Sequence, residues 1–390
     1  MDSQMSEYQR RRVDDMRILL AGGGTAGHIN PAIAIAQYFR EQDSKTEILF
    51  AGTPKGMEAE LVRKAGFDFT PIKVGGFRRS LSLENLAHNM QSLYYLFTSD
   101  FAAKKILREY QPDLVIGTGG YVSGPVVMMA SKMGIKTALH EQNAFPGVTN
   151  KILAKKVDRV FLAVEEAKNH LEPGIDSMVV GNPIRQSVIY KTKESARKEL
   201  GLDDRICILS FGGSLGADII NRMGADLMEW NRDNKVNHIH GYGRLGKELF
   251  PKLLEERGIV LTKDSSSTAT EYIDNMATCL AAADLVICRS GAITLSELEA
   301  TGKASILVPS PYVAENHQYH NAMVLVNHNA ALLIEEKKYD KQQFIDMLEH
   351  LYQNREKLAQ YGKNASKLAI LDTTKRIYDN LIQLVQNENQ

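Results

Sequence analysis

The chain is short of cysteine and of uncompensated charge, and each shortage removes a class of protein. Its 390 residues include three cysteines, Cys207, Cys279 and Cys288. They support neither a disulfide framework nor a paired C-x-x-C metal site. Two of them sit in apolar runs, so they are expected to be small buried residues of a protein kept in a reducing compartment. Lys plus Arg and Asp plus Glu both total 47, for a formal net charge of zero. With no basic excess there is no electrostatic sign of nucleic-acid binding, and an anionic ligand must be held locally. No run approaches the roughly 20 apolar residues that cross a bilayer. The opening "MDSQMSEYQRRRVDD" lacks the apolar stretch of a secretory signal. A cytosolic protein with a mobile tail over residues 1–15 is expected.

What is present is an alternating pattern. At this length two domains are the default. Strand-like runs, "MRILLAG", "TEILFAG", "FTPIKV", "PDLVIGTG", "KTALHEQ", "RVFLAV" and "SMVVGNP", are separated by segments of helical period. The pattern stops near "GNPIRQSVIYKTKE" and restarts with "ICILSFGG", "VNHIHGYG", "IVLTKD", "DLVICRSG" and "ASILVPSP". Strands alternating with helices imply parallel β-α-β units. The expected fold class is therefore α/β, two Rossmann-like domains facing a cleft, over residues 16–187 and 188–365. In the remainder, 366–390, Ile377, Leu381, Leu384 and Val385 recur at helical spacing after Asp372, a candidate N-cap. That helix is expected to pack back on the first domain.

The first glycine turn, "ILLAGGGTAGHINP", satisfies G-x-G-x-x-G through Gly22, Gly24 and Gly27. A dinucleotide site also needs an acid at the end of the second strand, about 20 residues on. Here Ala51, Gly52 and Thr53 stand at that end, and the only acid, Glu47, begins the strand. NAD binding is disfavoured. "VIGTGGYVSGP" and "LSFGGSLGA" are further glycine turns after strands, and three such turns at strand carboxyl ends favour shared use in ligand binding. In "CRSGAITLSELEATGKASILVPSP" a strand leads into a helix near Ala292. Its N-terminal amides can hold a diphosphate without a metal, and Glu297 one turn on can accept both hydroxyls of a ribose.

These segments are part of an ordered set. "GGGTAGH", "GTGGYVSGP", "HEQNAFPGVTNK", "GNPIR", "GGSLGA", "RSGAITLSELEATGKASILVP" and "ENHQYHNA" together resemble the MurG family of peptidoglycan UDP-N-acetylglucosamine transferases, from about Arg17 to the C-terminus. The resemblance implies a glycosyltransferase-B fold, no cofactor and no metal. It implies a UDP-N-acetylglucosamine donor, an undecaprenyl-linked lipid I acceptor, and a peripheral place on the cytoplasmic face of the bacterial inner membrane. By the same resemblance Ser214 and its glycines hold the donor diphosphate with Ala292, Ile293 and Thr294. Leu295 and Ser296 fall in the same donor segment, and Glu297 clamps the ribose. Ile273 offers its backbone to uracil, Arg185 contacts the donor, and Gln318 reads the sugar hydroxyls. Thr25, Ala26, Gly27 and Asn143 lie near the transferred sugar. The family often carries two adjacent glutamines where this chain has His317 and Gln318.

An inverting displacement needs a base for the acceptor hydroxyl. His28, closing the first glycine loop, is the first candidate because an ordinary imidazole titrates near pH 6.5. Glu141 of "HEQN" is the second. The lipid acceptor calls for a membrane contact, and Phe77 beside Arg78 and Arg79 has the apolar and basic character of one. Two alternatives share the donor site: a UDP-N-acetylglucosamine 2-epimerase and a non-catalytic UDP-sugar-binding subunit.

Overall fold

A computed structural model of the chain describes residues 16–75, 98–262 and 265–386. Phe77, Arg78, Arg79 and the 1–15 tail lie outside the described residues. Two compact units are present: residues up to Pro183 together with Leu371 onward, and Ile184–Ile370. The first break falls between Pro183 and Ile184, so Arg185 belongs to the second unit.

The first unit is built on β1 (Arg17–Gly22), β2 (Glu47–Gly52), β3 (Asp68–Pro71), β4 (Leu114–Gly119), β5 (Lys136–Glu141), β6 (Arg159–Leu162) and β7 (Ser177–Val179). They form one parallel sheet in the order β3-β2-β1-β4-β5-β6-β7. β1 shows why a continuous apolar run becomes such a strand. Successive side chains point to opposite faces, so Ile18 and Leu20 enter one buried layer and Leu19 and Ala21 the other. A parallel sheet covered on both faces has no polar side to display. Helix 373–386 completes the first of these layers: Ile377 and Leu381 are fully buried there beside Phe39. The Tyr378 ring meets Phe39 edge-on at 4.8 Å, and Arg159 Nη1 donates to Asn380 Oδ1 at 3.1 Å. Asp372 pairs with the Arg376 side chain, Nε to Oδ1 at 2.7 Å.

The second unit carries β8 (Cys207–Phe211), β9 (Asn237–Gly241), β10 (Ser267–Thr270), β11 (Leu285–Cys288), β12 (Ala304–Leu307) and β13 (Ala331–Leu333), ordered β10-β9-β8-β11-β12-β13, all parallel. One sequence expectation fails here. Over its described residues, 259–262, "IVLTKD" is not a strand; Ile259 and Leu261 instead pack beside Phe250 and Leu253 in a small satellite core. The strand that pairs with β9 is the polar "STAT" of 267–270. An edge strand has only one neighbour and less buried surface, so hydropathy does not reveal it. The three cysteines are buried and free, and burial pushes the thiols of Cys207 and Cys288 up to about 12.

β8 and β9 enclose a buried polar group. Ser210 Oγ lies 2.8 Å from His238 Nε2 and 2.7 Å from His240 Nδ1, and His240 Nε2 lies 3.2 Å from Asn221 Oδ1. Burial holds both imidazoles neutral, lowering His240 to about 3 and His238 well below its ordinary value. The unfolded chain takes up these protons near pH 6.5, whereas the folded chain does not until far lower. This contribution to stability is complete above about pH 6.5 and is lost progressively as pH falls toward about 3. Chemical denaturation at pH 7 and pH 5 should differ by about 2 kcal/mol for each histidine. Equal midpoints at the two pH values would show that neither ring is kept neutral by the fold.

Candidate active site

In an open parallel sheet, ligands bind beyond the strand carboxyl ends where the strand order reverses. In the first unit that point lies between β1 and β4, and in the second between β8 and β11. All the glycine turns read from the sequence stand at these two points.

At the first, helix 26–42 starts behind Thr25, whose carbonyl accepts the amides of His28 and Ile29, both at 3.1 Å. Thr25, Ala26 and Gly27 are exposed. The glycines of the β4 turn are there because the β1 turn leaves no room. A Cβ on Gly120 would stand 2.3 Å from the Gly23 carbonyl oxygen, and one on Gly119 would stand 2.7 Å from His28 Nδ1. Both have positive φ, +81° and +107°. Thr118 Oγ1 donates to the His28 carbonyl at 2.8 Å. His28 is thus pinned by its backbone and seated against a bare Cα, with Nδ1 3.0 Å from Gln142 Oε1. Among the described residues its Nε2 makes no hydrogen bond.

The absent strand-end acid has a counterpart that the sequence did not advertise. Glu58, in the first turn of helix 57–64, is buried and accepts from Thr53 N (2.9 Å), Thr53 Oγ1 (2.6 Å) and Gly24 N (3.2 Å). Burial alone would push its carboxyl up, but these hydrogen bonds outweigh it and hold the carboxyl below its usual range. Through these bonds Glu58 braces the glycine loop.

Glu141 has a comparable bracing position. It is 2% exposed, and its two oxygens accept from Asn143 N, Asn143 Nδ2, Gly147 N and Asn150 Nδ2 at 2.8–3.1 Å. Four donors occupy the acceptor positions of this carboxylate. Asn143 sits at this carboxylate, within the loop that Glu141 shapes.

In the second unit the β8 turn is another close approach: a Cβ on Gly216 would stand 2.2 Å from the Tyr242 carbonyl oxygen. Ser214 and Leu215 are exposed at its tip, their carbonyls accepting Arg244 N and Leu245 N. Helix 292–300 follows β11 with Gly291 as N-cap, no capping side chain and no acid in its first turn. The first amides of such a helix have no intrahelical acceptor, so Ala292, Ile293 and Thr294 end in donors aimed outward. Leu295 differs: its amide returns to the Gly291 carbonyl at 3.0 Å and its side chain is 3% exposed, so it supports the helix from inside. Ser296 lies on the partly exposed side.

Glu297, with its side chain 9% exposed, is held by a two-point pair: Arg185 Nε to Oε1 at 2.8 Å and Nη2 to Oε2 at 3.1 Å. Ile273 turns its side chain against Gly241, and its backbone amide and carbonyl have no hydrogen-bond partner among the described residues. Gln318 is the second residue of helix 317–327 and accepts Ser310 N at 2.9 Å. The preceding Glu315 and Asn316 are left-handed, φ 53° and 49°, a strained entry of the kind kept at functional loops.

Residues 18–162 match the glycosyltransferase family 28 N-terminal domain and residues 207–377 its C-terminal domain. A relative from Acetivibrio thermocellus is 44% identical over 96% of this chain and 99% of its own length. The chain belongs to glycosyltransferase family 28. That relative is a UDP-N-acetylglucosamine–N-acetylmuramyl-(pentapeptide) pyrophosphoryl-undecaprenol N-acetylglucosamine transferase. The enzyme of the same name from Thermoanaerobacter sp. is 42% identical over 93% of this chain and 98% of its own length. Among solved structures, the family 28 chain resembles Acinetobacter baumannii MurG, with a TM-score of 0.74 at 26% identity, covering 95% of this chain and 99% of that one. A UDP-GlcNAc 2-epimerase from Neisseria meningitidis also superposes, with a TM-score of 0.65 over 94% of this chain and 100% of that one. At 13% identity that likeness is of fold alone.

Proposed function

We propose that the chain transfers N-acetylglucosamine from UDP-N-acetylglucosamine to the 4-hydroxyl of the N-acetylmuramic acid of lipid I, giving lipid II for peptidoglycan. The observation that carries this is the run of relatives with that one activity in their name, 37–44% identical over nearly the whole chain. The site chemistry agrees with it. Uracil has a free amide and carbonyl at Ile273 with which to pair. The ribose hydroxyls meet Glu297, which Arg185 holds in one orientation through two hydrogen bonds. The diphosphate lies on the amides of Ala292, Ile293 and Thr294 with the Ser214 loop, and Gln318 meets the sugar.

The acceptor oxygen attacks the anomeric carbon from the face opposite UDP, so the α-linked donor gives a β-linked product. The bond to UDP breaks with its electron pair on the β-phosphate oxygen, where the helix dipole opposes the growing charge. The proton of the attacking hydroxyl passes to His28 Nε2 and later to water. Glu141, already saturated by four donors, keeps the Asn143 loop in shape.

Among the described residues no helix is long and apolar enough to cross a membrane. A peripheral position on the cytoplasmic face, with Phe77, Arg78 and Arg79 meeting anionic lipid, suits a polyprenyl acceptor.

Incubation with labelled UDP-N-acetylglucosamine and a lipid I analogue tests the activity. The expected result is a labelled disaccharide lipid, formed without added divalent cation. Accumulation of the 2-epimer, or nucleotide binding without turnover, would overturn the assignment in favour of the epimerase or the binding subunit.

A further inference from the structure

Three of the sequence blocks in the first unit meet in one line of contacts. His28 Nδ1 stands 3.0 Å from Gln142 Oε1. Gln142 Nε2 stands 3.0 Å from His140 Nδ1 and 2.9 Å from the His140 carbonyl oxygen. His140 Nε2 stands 2.9 Å from the Gly181 carbonyl oxygen. His140 and Gln142 are 0% and 3% exposed. Gly181, at φ +85°, adopts a backbone conformation open mainly to glycine, and the next residue, Asn182, donates Nδ2 to the Gln142 carbonyl at 3.2 Å.

Hydrogen positions along this line follow from its two backbone carbonyls, which can only accept. The Gly181 oxygen requires the proton of His140 on Nε2, leaving Nδ1 of the neutral ring as an acceptor. Burial lowers the His140 pKa, which keeps the ring neutral. The His140 oxygen requires the amide end of Gln142 on its side, since a flipped side chain would set two acceptors 2.9 Å apart. Gln142 Oε1 therefore faces His28, and Nδ1 must bring the proton.

We infer that the line Gly181–His140–Gln142 fixes the tautomer of His28, with Gln142 and His140 as positioning residues: the proton sits on Nδ1 and the lone pair on Nε2. Free imidazole favours the opposite tautomer, which would present an N–H to the acceptor hydroxyl. A neutral amide does here what a carboxylate does for many catalytic histidines, without adding charge. The inference rests on His28 being the base of the proposed transfer, but the tautomer can be observed without any substrate.

The test is nitrogen-15 imidazole NMR on the full chain at about pH 8.5, above the ordinary histidine range, with the His28 signal assigned by its loss in His28→Ala. The wild-type ring is expected to carry its proton on Nδ1; a proton on Nε2 would overturn the inference. Gln142→Leu should move the proton to Nε2 and lower kcat about 10- to 100-fold, leaving the donor KM within about twofold. A fall in kcat with the tautomer unchanged in Gln142→Leu would make Gln142 merely structural and would also overturn the inference. A wild-type chain with the Nδ1 proton but no transfer to lipid I would refute the proposed activity and leave the tautomer standing.

Discussion

His28→Ala should lower kcat by about 10²- to 10⁴-fold, the usual contribution of a general base, while the affinity for UDP-N-acetylglucosamine changes by less than about twofold. The separation follows from where the residue sits. His28 belongs to the first unit, whereas the proposed donor contacts, Glu297, Ile273, Gln318 and the amides at 292–294, are all in the second. Losing the imidazole removes its hydrogen bond to Gln142 but leaves the backbone contacts of the glycine loop in place. The Thr118 bond goes to the His28 backbone, and Glu58 braces Gly24 independently. Rates under single-turnover conditions, paired with donor titration by calorimetry, make the check. Near wild-type turnover would remove His28 from the chemistry. The base role would not then pass easily to Glu141, because each of its two oxygens already accepts two hydrogen bonds.

Glu297→Ala should have the largest effect on donor affinity, weakening it by about 10²-fold or more. Two hydroxyl donors on an ionised carboxylate contribute about 1.5–3 kcal/mol each, and every 1.4 kcal/mol is a tenfold change. Screening is small at this site because the carboxylate side chain is 9% exposed. The substitution also strands Arg185, which is half-exposed and can turn to solvent, so the fold should survive. The readouts are the dissociation constants for UDP and for UDP-N-acetylglucosamine. Both should move together, because the ribose is common to them. A change below about threefold, under 1 kcal/mol, would mean that Glu297 is only Arg185's partner and the ribose is held elsewhere. Arg185→Ala should weaken the donor less, since it removes the orientation of the carboxylate and not the carboxylate itself.

Much of this protein was legible before any coordinates. Continuous apolar runs such as "RILLAG" and "DLVIG" identify strands buried on both faces, and their alternation with helices identifies parallel β-α-β units. The turns at 22–27, 117–120, 212–216 and 289–291 could be placed at strand ends for the same reason. The two edge strands of the second sheet escaped notice: β10 is Ser-Thr-Ala-Thr, since a run with one neighbour need not be apolar, and β13 is only three residues long. Glu58 escaped because nothing in "TPKGMEAEL" separates a buried carboxylate accepting three hydrogen bonds from an exposed one in a helix's first turn. Glu141 of "HEQN" stood as the second candidate base, and nothing along the chain showed that Asn143, Gly147 and Asn150 donate four hydrogen bonds to it.

Period, glycine placement and the order of seven short blocks, all local properties of the chain, determined by themselves the fold class, the loops beyond the strand ends and the family. Tertiary structure alone decided which polar atoms are left to meet a ligand, because that depends on who else satisfies each group. Gln142 could be read as just one letter of "HEQN" until His140 and Gly181, residues 2 and 39 positions away, dictated which way its amide faces. Hydrogen-bond direction is settled by partners in space, and no pattern along the chain carries it.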